Sequence, residues 1–233
     1  MITAIIPARS GSKRLPNKNI KRLASRPLIF HTIDAVIGHP EITKIIFTTD
    51  SKEYINLAKA EYNEKITYEY RPSEYATDNT KVYEELKRLI KNGSIETDWY
   101  MQCLPTCPLR DHEVVRGLLN QWANKKKPIF SANENNFPAQ FAFTLSKDDS
   151  SWIPLIEDSP MLSGNTRSQD IVKTYRPNGA MYLQHIDNID KQTLYIDASV
   201  YLMNREDAID IDTEFDFTVC EYLLSKKGKN NDC

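Results

Sequence analysis

A chain of 233 residues, 40% hydrophobic, 10% aromatic and 27% charged, has room for one core or one core with a modest insert, and its composition excludes disordered, collagenous and coiled-coil proteins. No apolar run approaches the roughly 18 residues of a membrane span, and the apolar opening from Met1 to Ala8 is followed rather than preceded by basic residues, unlike a secretory leader, so a cytoplasmic protein is expected. The net charge of −2 hides an asymmetry: the first 26 residues carry seven basic groups and no acid, while six acids fall between Glu206 and Asp216 without a Lys or Arg. Such segments suggest an anion site and a cation site.

Short β-branched runs alternate with amphipathic helical patterns through the first 133 residues. Thr3 to Pro7 reads as a buried strand running into the polar turn Ala8 to Lys13, with a helix from about Leu28 to Ile37 after it. Lys44 to Thr49 is a second strand, followed by a helix from Ser51 to about Tyr62 and a strand from Ile66 to Tyr70. A helix is predicted over Asp78 to Asn92, with Asp78 or Asn79 as its cap and Val82, Leu86, Leu89 and Ile90 on one face. Trp99 to Leu104 is a strand stopped by Pro105, the pattern Val114, Val115, Leu118, Leu119 and Trp122 is a helix, and Ile129 to Ala132 is a strand. Strands separated by helices of this length mean βαβ units and a mostly parallel sheet.

Between about Asn133 and Thr174 the alternation fails, and a polar segment contains the turn Lys147 to Ser151 and the run Ser163-Gly164-Asn165. Its short apolar runs, Phe141 to Leu145 and Trp152 to Ile156, fit a hairpin within an insert, a lid or a dimerisation arm. Ala180 to Gln184 and Val200 to Met203 return to strand character. Thr213 to Ser225 is a closing helix, and a polar tail from Lys226 to Cys233 is expected to fray.

Chemistry concentrates at two places. The turn after the first strand holds Arg9, Ser10, Gly11, Ser12 and Lys13, with Lys18-Asn19 five residues on. Ligands of open α/β sheets bind beyond the carboxyl ends of strands, where this turn lies. Gly11 lets backbone amides turn toward an anion while Arg and Lys supply charge. The pattern is neither a Walker A loop nor GxGxxG, and the same residues also fit a solvated basic face. A nucleic-acid arm is disfavoured because the basic residues follow a core strand. In Ile209-Asp210-Ile211-Asp212-Thr213, extended backbone puts residues i and i+2 on one side, so Asp210 and Asp212 can meet one cation. Magnesium takes one or two carboxylates plus phosphate oxygens and water. The alternative is an acidic helix N-terminus capped by Asp212 or Thr213. Cys103, Cys107, Cys220 and Cys233 have no zinc or disulfide spacing and read as reduced thiols. His31, His39, His112 and His185 lack partners at diagnostic spacing and read as satisfied structural residues.

Taken together, Ile5 to Asn19 (IIPARSGSKRLPNKN), Arg71 to Asn79 (RPSEYATDN), Leu104 to Arg110 (LPTCPLR), Arg176 to Tyr182 (RPNGAMY) and Ile209 to Phe217 (IDIDTEFDF) resemble, in order and spacing, the cytidylyltransferases that activate acidic 2-keto sugars: the CMP-sialic acid synthetases and their legionaminic and pseudaminic acid relatives. The resemblance covers nearly the whole chain. It implies an α/β, Rossmann-like nucleotidyltransferase core (1–133 and 176–233) with a mostly parallel sheet, and a small dimerisation insert (134–175). It implies that Arg9, Ser12, Lys13, Lys18 and Asn19 hold the triphosphate of CTP, with Arg9, Lys13 and Lys18 catalytic through their charge. Arg71, Ala76, Thr77 and Asp78 match the positions that recognise cytosine, and Asp210 and Asp212 match the magnesium-binding aspartates. Leu104, Gln140, Arg167, Gln169, Arg176, Asn178 and Gly179 fall on the sugar side.

Three departures bear on the sugar. Leu104 stands where sialic acid enzymes usually carry Gln. Thr166-Arg167-Ser168-Gln169-Asp170 has Ser where Arg usually precedes Gln. Gln140 replaces a Lys often found in the insert. The last two are pseudaminic in type, whereas RPNG is sialic or legionaminic in character. The expected reaction is attack of the anomeric hydroxyl of a nine-carbon acidic sugar on the α-phosphorus of CTP, by a magnesium-dependent homodimer that engages neither nucleic acid nor membrane. The acceptor's C1 carboxylate requires a cation, for which Arg167 and Arg176 are the nearest candidates. The rival readings are the same chemistry on Kdo or another acid, and a non-catalytic nucleotide-binding protein.

Overall fold

The computed structural model describes residues 1–148, 150–164, 167–191 and 194–230; Asn165, Thr166 and Cys233, named above, and Asp149 of the turn Lys147 to Ser151 lie outside the described residues. The first half of the chain forms β1 (Ile2–Pro7), β2 (Arg22–Leu23), β3 (Arg26–Pro27), α1 (Leu28–Val36), β4 (Ile42–Thr49), α2 (Lys52–Tyr62), β5 (Thr67–Tyr70), α3 (Val82–Lys91) and β6 (Trp99–Cys103). The second half forms α4 (His112–Lys125), β7 (Ile129–Glu134), β8 (Phe143–Leu145), β9 (Trp152–Pro154), α5 (Pro160–Ser163), β10 (Tyr175–His185), β11 (Ser199–Leu202) and α6 (Glu214–Asn230).

β1 is buried at every position, as a strand must be when helices cover both faces of its sheet. It pairs in parallel with β4 on one side and β6 on the other, and β5 continues in parallel from β4. The seven-stranded order is β11-β7-β10-β6-β1-β4-β5. β10 runs antiparallel to β6, with Tyr182 opposite Gln102, and β11 runs parallel to β7. Alternation along β1 supplies both faces. Ile2, Ala4 and Ile6 join the core under α1, α2 and α4, with Phe30, Tyr54, Leu118 and Trp122. Ile5 turns to the other face and packs with Leu86 and Leu89 of α3. A third cluster joins Leu15, Leu23 and Leu28 to Ile211 and Phe217, so the N-terminal loop is packed against α6. The contacts divide into two compact units, residues 1–132 with 178–233, and Asn133–Pro177.

The second unit contains the antiparallel hairpin β8–β9, shorter than its sequence suggests. Leu145, Trp152 and Ile153 are exposed on it. Two helix boundaries differ from the expectation. α3 begins at Val82 rather than Asp78, and neither Asp78 nor Asn79 caps it, because the Asp78 carboxylate is drawn to Arg9 and Lys13 instead. α6 continues through Lys226 and Lys227, where a fraying tail was expected; Lys227 is held at 2.8 Å by Asp207. Cys103, Cys107 and Cys220 are buried free thiols, as expected. His39 bonds the Ala35 carbonyl at 3.1 Å and stacks on His112, which fits a structural role. Among the described residues no helix is long and apolar enough to cross a membrane.

Gly117 lies inside α4, where glycine costs about 1 kcal/mol relative to alanine. The cost is accepted because a Cβ there would overlap the hydroxyl and ring of Tyr201. Gly117→Ala should therefore lower stability in urea unfolding by about 1–3 kcal/mol. In a Tyr201→Ala background the same change should become neutral or stabilising. A Gly117→Ala protein as stable as the native one would refute this packing.

Candidate active site

The carboxyl ends of β1, β4, β5 and β6 converge where strand order reverses about β1, the position at which open α/β sheets bind ligands. The loop after β1 is fixed by Asp50, at the end of β4, whose carboxylate accepts from the Ser10 amide and hydroxyl, each at 2.8 Å. Asn19 donates to the Arg9 carbonyl at 2.8 Å, while its buried Oδ1 has no hydrogen-bond partner among the described residues. Gly11 does not adopt a left-handed conformation. A Cβ there would meet nothing within 4 Å.

A cavity of about 320 Å³ opens beside this loop. All nine residues expected to hold the nucleotide line it: Arg9, Ser12, Lys13, Lys18, Asn19, Arg71, Ala76, Thr77 and Asp78. Leu104 and Asp212 complete the wall, as do Arg14, Tyr75, Thr80 and Thr106, which the motif reading passed over. The cations are engaged with internal anions. Arg9 and Lys13 both reach Asp78, each at 2.5 Å, and they hold its carboxyl below the usual range. Arg14 meets Asp212 at 2.9 Å and Lys18 meets it at 3.2 Å. Lys18 is only 8% exposed and also donates to the Ile211 carbonyl, so it is an internal tie to the acidic tract.

That tract settles into two functions. The Thr213 amide and hydroxyl donate to Asp216, and the Asp216 amide returns a bond to the Thr213 hydroxyl. This reciprocal pair caps α6. Burial opposes the Asp216 charge, yet these bonds and that from the Asp212 amide hold its carboxyl below the ordinary range. Of the two caps the sequence offered, Thr213 takes the role and Asp212 is not needed for it. Asp210 and Asp212 flank fully buried Ile211, whose amide is fixed by the Thr106 carbonyl at 2.7 Å. Asp210 is accessible to solvent but crowded by protein, and that desolvation raises its carboxyl above the usual range. The Thr106 hydroxyl opposes the shift and the Asp212 charge adds to it. Two mutually repelling carboxylates, with no third His, Cys, Asp or Glu completing a cluster among the described residues, suit a hard cation that takes its remaining ligands from phosphate and water. Of the two, Asp212 lines the cavity, and carboxylate oxygens of this kind are the donors magnesium accepts.

The sugar-side residues divide. Leu104 lines the cavity, and Gly179, whose φ of +78° favours glycine, lies behind it, where a Cβ would make ordinary contact with Leu104 Cδ1 at 3.5 Å. Asn178 is buried, accepting from the Ser131 hydroxyl and the Ala180 amide, so it shapes the backbone at that point. Arg110 is fully buried and holds the Leu104 and Ala180 carbonyls. Gln140, Arg167, Gln169 and Arg176 belong to the second unit. There Gln140 donates to the Val172 carbonyl at 3.2 Å, Arg167 lies 3.6 Å from Asp170, and Gln169 and Arg176 are exposed.

Comparison with known proteins agrees with this geometry. The profile of the family described as Cytidylyltransferase matches residues 3–228. The chain is 33% identical to an N-acylneuraminate cytidylyltransferase of Escherichia coli, over 98% of its own length and 53% of the relative's. It thus spans about half of that protein. It is 27% identical to the CMP-N,N'-diacetyllegionaminic acid synthase of Legionella pneumophila, covering 96% of each. It is 29% identical to a pseudaminic acid cytidylyltransferase of Campylobacter jejuni, covering 94% of each. A solved CMP:2-keto-3-deoxy-manno-octonic acid synthetase in complex with CTP shares the fold, with TM-score 0.68 at 14% identity over 97% of this chain and 99% of that one. The 4-diphosphocytidyl-2C-methyl-D-erythritol synthase of Anaerococcus prevotii does so at 0.67 and 18%, over 96% of each. The architecture is the Rossmann-like nucleotidyltransferase fold. With the family profile spanning almost the whole sequence and its cavity at the carboxyl end of the sheet, the chain belongs to the cytidylyltransferase family.

Proposed function

We propose that this chain transfers CMP from CTP to the anomeric hydroxyl of a nonulosonic acid, releasing pyrophosphate, as a magnesium-dependent cytoplasmic homodimer. The observation that carries the reading is the single cavity in which nine nucleotide-directed residues, four of them cations, meet Asp212. In the reaction the acceptor oxygen bonds to the α-phosphorus as the bond from that phosphorus to the β-phosphate oxygen breaks. Catalysis is mainly positioning and charge neutralisation. Arg9 and Lys13 exchange Asp78 for triphosphate oxygens, and the Asn19 Oδ1 is available to a nucleotide donor. Arg71 and the 76–78 stretch face the base. Lys18 keeps Asp212 in register, and Asp210 and Asp212 are the residues that would hold magnesium. When bound, the ion supplies electrostatic neutralisation of phosphate oxygens.

The names of the relatives support a nonulosonic acid acceptor. Its carboxylate calls for a guanidinium, and Arg176 and Arg167, the latter 3.6 Å from Asp170, are both exposed. Apolar residues exposed on β8–β9 support a second copy as their cover. The three reduced thiols accord with a cytoplasmic setting.

Pyrophosphate release with CTP and a panel of sialic, legionaminic, pseudaminic and Kdo acceptors tests the reading. One nonulosonic acid should be turned over well above Kdo, and release with none of them would refute it. Asp212→Ala should lower kcat by on the order of 10²-fold or more; near-normal turnover at limiting magnesium would remove Asp212 from the metal site. Arg167→Ala should lose a charge-assisted pair of ~1.5–3 kcal/mol, or roughly 10- to 150-fold in kcat/KM for the sugar. The KM for CTP should change less than about threefold. An effect confined to CTP would move Arg167 to the nucleotide side, and none at all would make it structural.

A further inference from the structure

Glu85 lies one turn into α3 and is 0% exposed, a rare state for a glutamate. Its carboxylate accepts from the Thr48 hydroxyl at 2.5 Å and from Nε and Nη2 of Arg88 at 2.8 and 2.9 Å. Arg71 Nε lies 3.9 Å from it. Arg71 is itself only 4% exposed; its Nη2 donates to the Thr48 carbonyl at 3.2 Å, and its Nε has no hydrogen-bond partner among the described residues. The Arg88 guanidinium lies 5.9 Å from the centre of the Tyr75 ring. Arg71 and Tyr75 both line the nucleotide cavity. One buried carboxylate thus touches or supports two side chains of the cavity wall from behind.

Burying such a cluster is a poor way to stabilise a fold, because desolvation offsets the attraction. What the cluster fixes is orientation. Glu85 holds the charge against which Arg71 is aimed, and through Arg88 it holds the ring of Tyr75. Nothing in Glu85 reaches the cavity. We propose that Glu85 is a positioning residue for nucleotide recognition, acting through Arg71 and Tyr75. The proposal rests on the reading that CTP occupies this cavity with its base toward Arg71.

The test compares Glu85→Gln, Arg71→Lys and the double variant, using calorimetric CTP binding, which needs no acceptor, together with steady-state kinetics and thermal unfolding. Glu85→Gln keeps the shape and a hydrogen bond to Thr48 while removing the charge. The Kd and KM for CTP should rise about tenfold, with kcat within about threefold and the acceptor KM unchanged. The double variant should bind CTP more tightly than the two single losses added together would give, since the part of the Glu85 effect that runs through Arg71 is already lost and only the part through Tyr75 remains. Fully additive losses, a fall in kcat without a change in KM, or unchanged CTP binding by Glu85→Gln would each overturn the proposal. Unchanged binding by Arg71→Lys would instead overturn the placement of the base, and this inference with it. If Glu85→Gln does not fold, Glu85→Asp draws the charge back by one methylene and carries the same expectation.

Discussion

The bond from the Lys18 ammonium to the acidic tract is the interaction on which the site depends. Lys18 and Ile211 are 193 residues apart, and the ammonium is buried between the Ile211 carbonyl and Asp212. An ammonium taken from water costs several kcal/mol unless it is paired, so the two segments are strongly held together or both rearranged. Apolar packing of Leu15, Leu23 and Leu28 on Ile211 and Phe217 works in the same direction. So does Lys21, which pairs with Glu214 and lies over the Phe217 ring at 4.4 Å. The charge asymmetry of the sequence becomes one bipolar cavity.

Within that cavity the charges are arranged in exchangeable sets. Asp78 answers Arg9 and Lys13, and Asp212 answers Arg14 and Lys18. In the proposed reaction a polyanion takes over the cations of the first set while a divalent cation takes over the carboxylate of the second. Exposed pairs such as those of Asp78 are worth little individually, so they order the loop at small cost to ligand binding. Asp210, already raised by desolvation and by Asp212, is a carboxylate whose charge a bound cation would stabilise.

Much of this was legible in the sequence because it rests on local signals. β-Branched runs marked the parallel strands, and the basic turn, the Arg71 segment and Leu104 fell at their carboxyl ends. The boundary of α3 was not legible: Asp78 has the chemistry of a cap, and only the fold reveals Arg9 and Lys13 as its partners. Lys18 read as a phosphate ligand because nothing local places Ile211 beside it. Glu85 stands three residues after Val82 and four before Leu89, beside the apolar face of α3, but its partners Thr48 and Arg71 come from distant segments, so the polar cluster follows from tertiary packing alone. Of the two caps the sequence offered for α6, Asp212 and Thr213, the fold uses Thr213, paired reciprocally with Asp216 three residues on; the choice between them rested on hydrogen bonds that spacing alone does not fix.

The central claim is that the basic loop and the carboxylate pair act together on one nucleotide and one cation. Its most direct test is the linkage between CTP and magnesium binding, measured by calorimetry at several magnesium concentrations for the native chain and for the double variant Asp210→Asn, Asp212→Asn. Linkage is reciprocal, so either ligand can be varied. The account predicts that magnesium tightens CTP binding to the native chain by about tenfold or more, a coupling of roughly 1.4 kcal/mol, and that the double variant loses most of this coupling. An unchanged coupling in the double variant would mean that the ion travels with the nucleotide alone and that the carboxylates play no part in holding it.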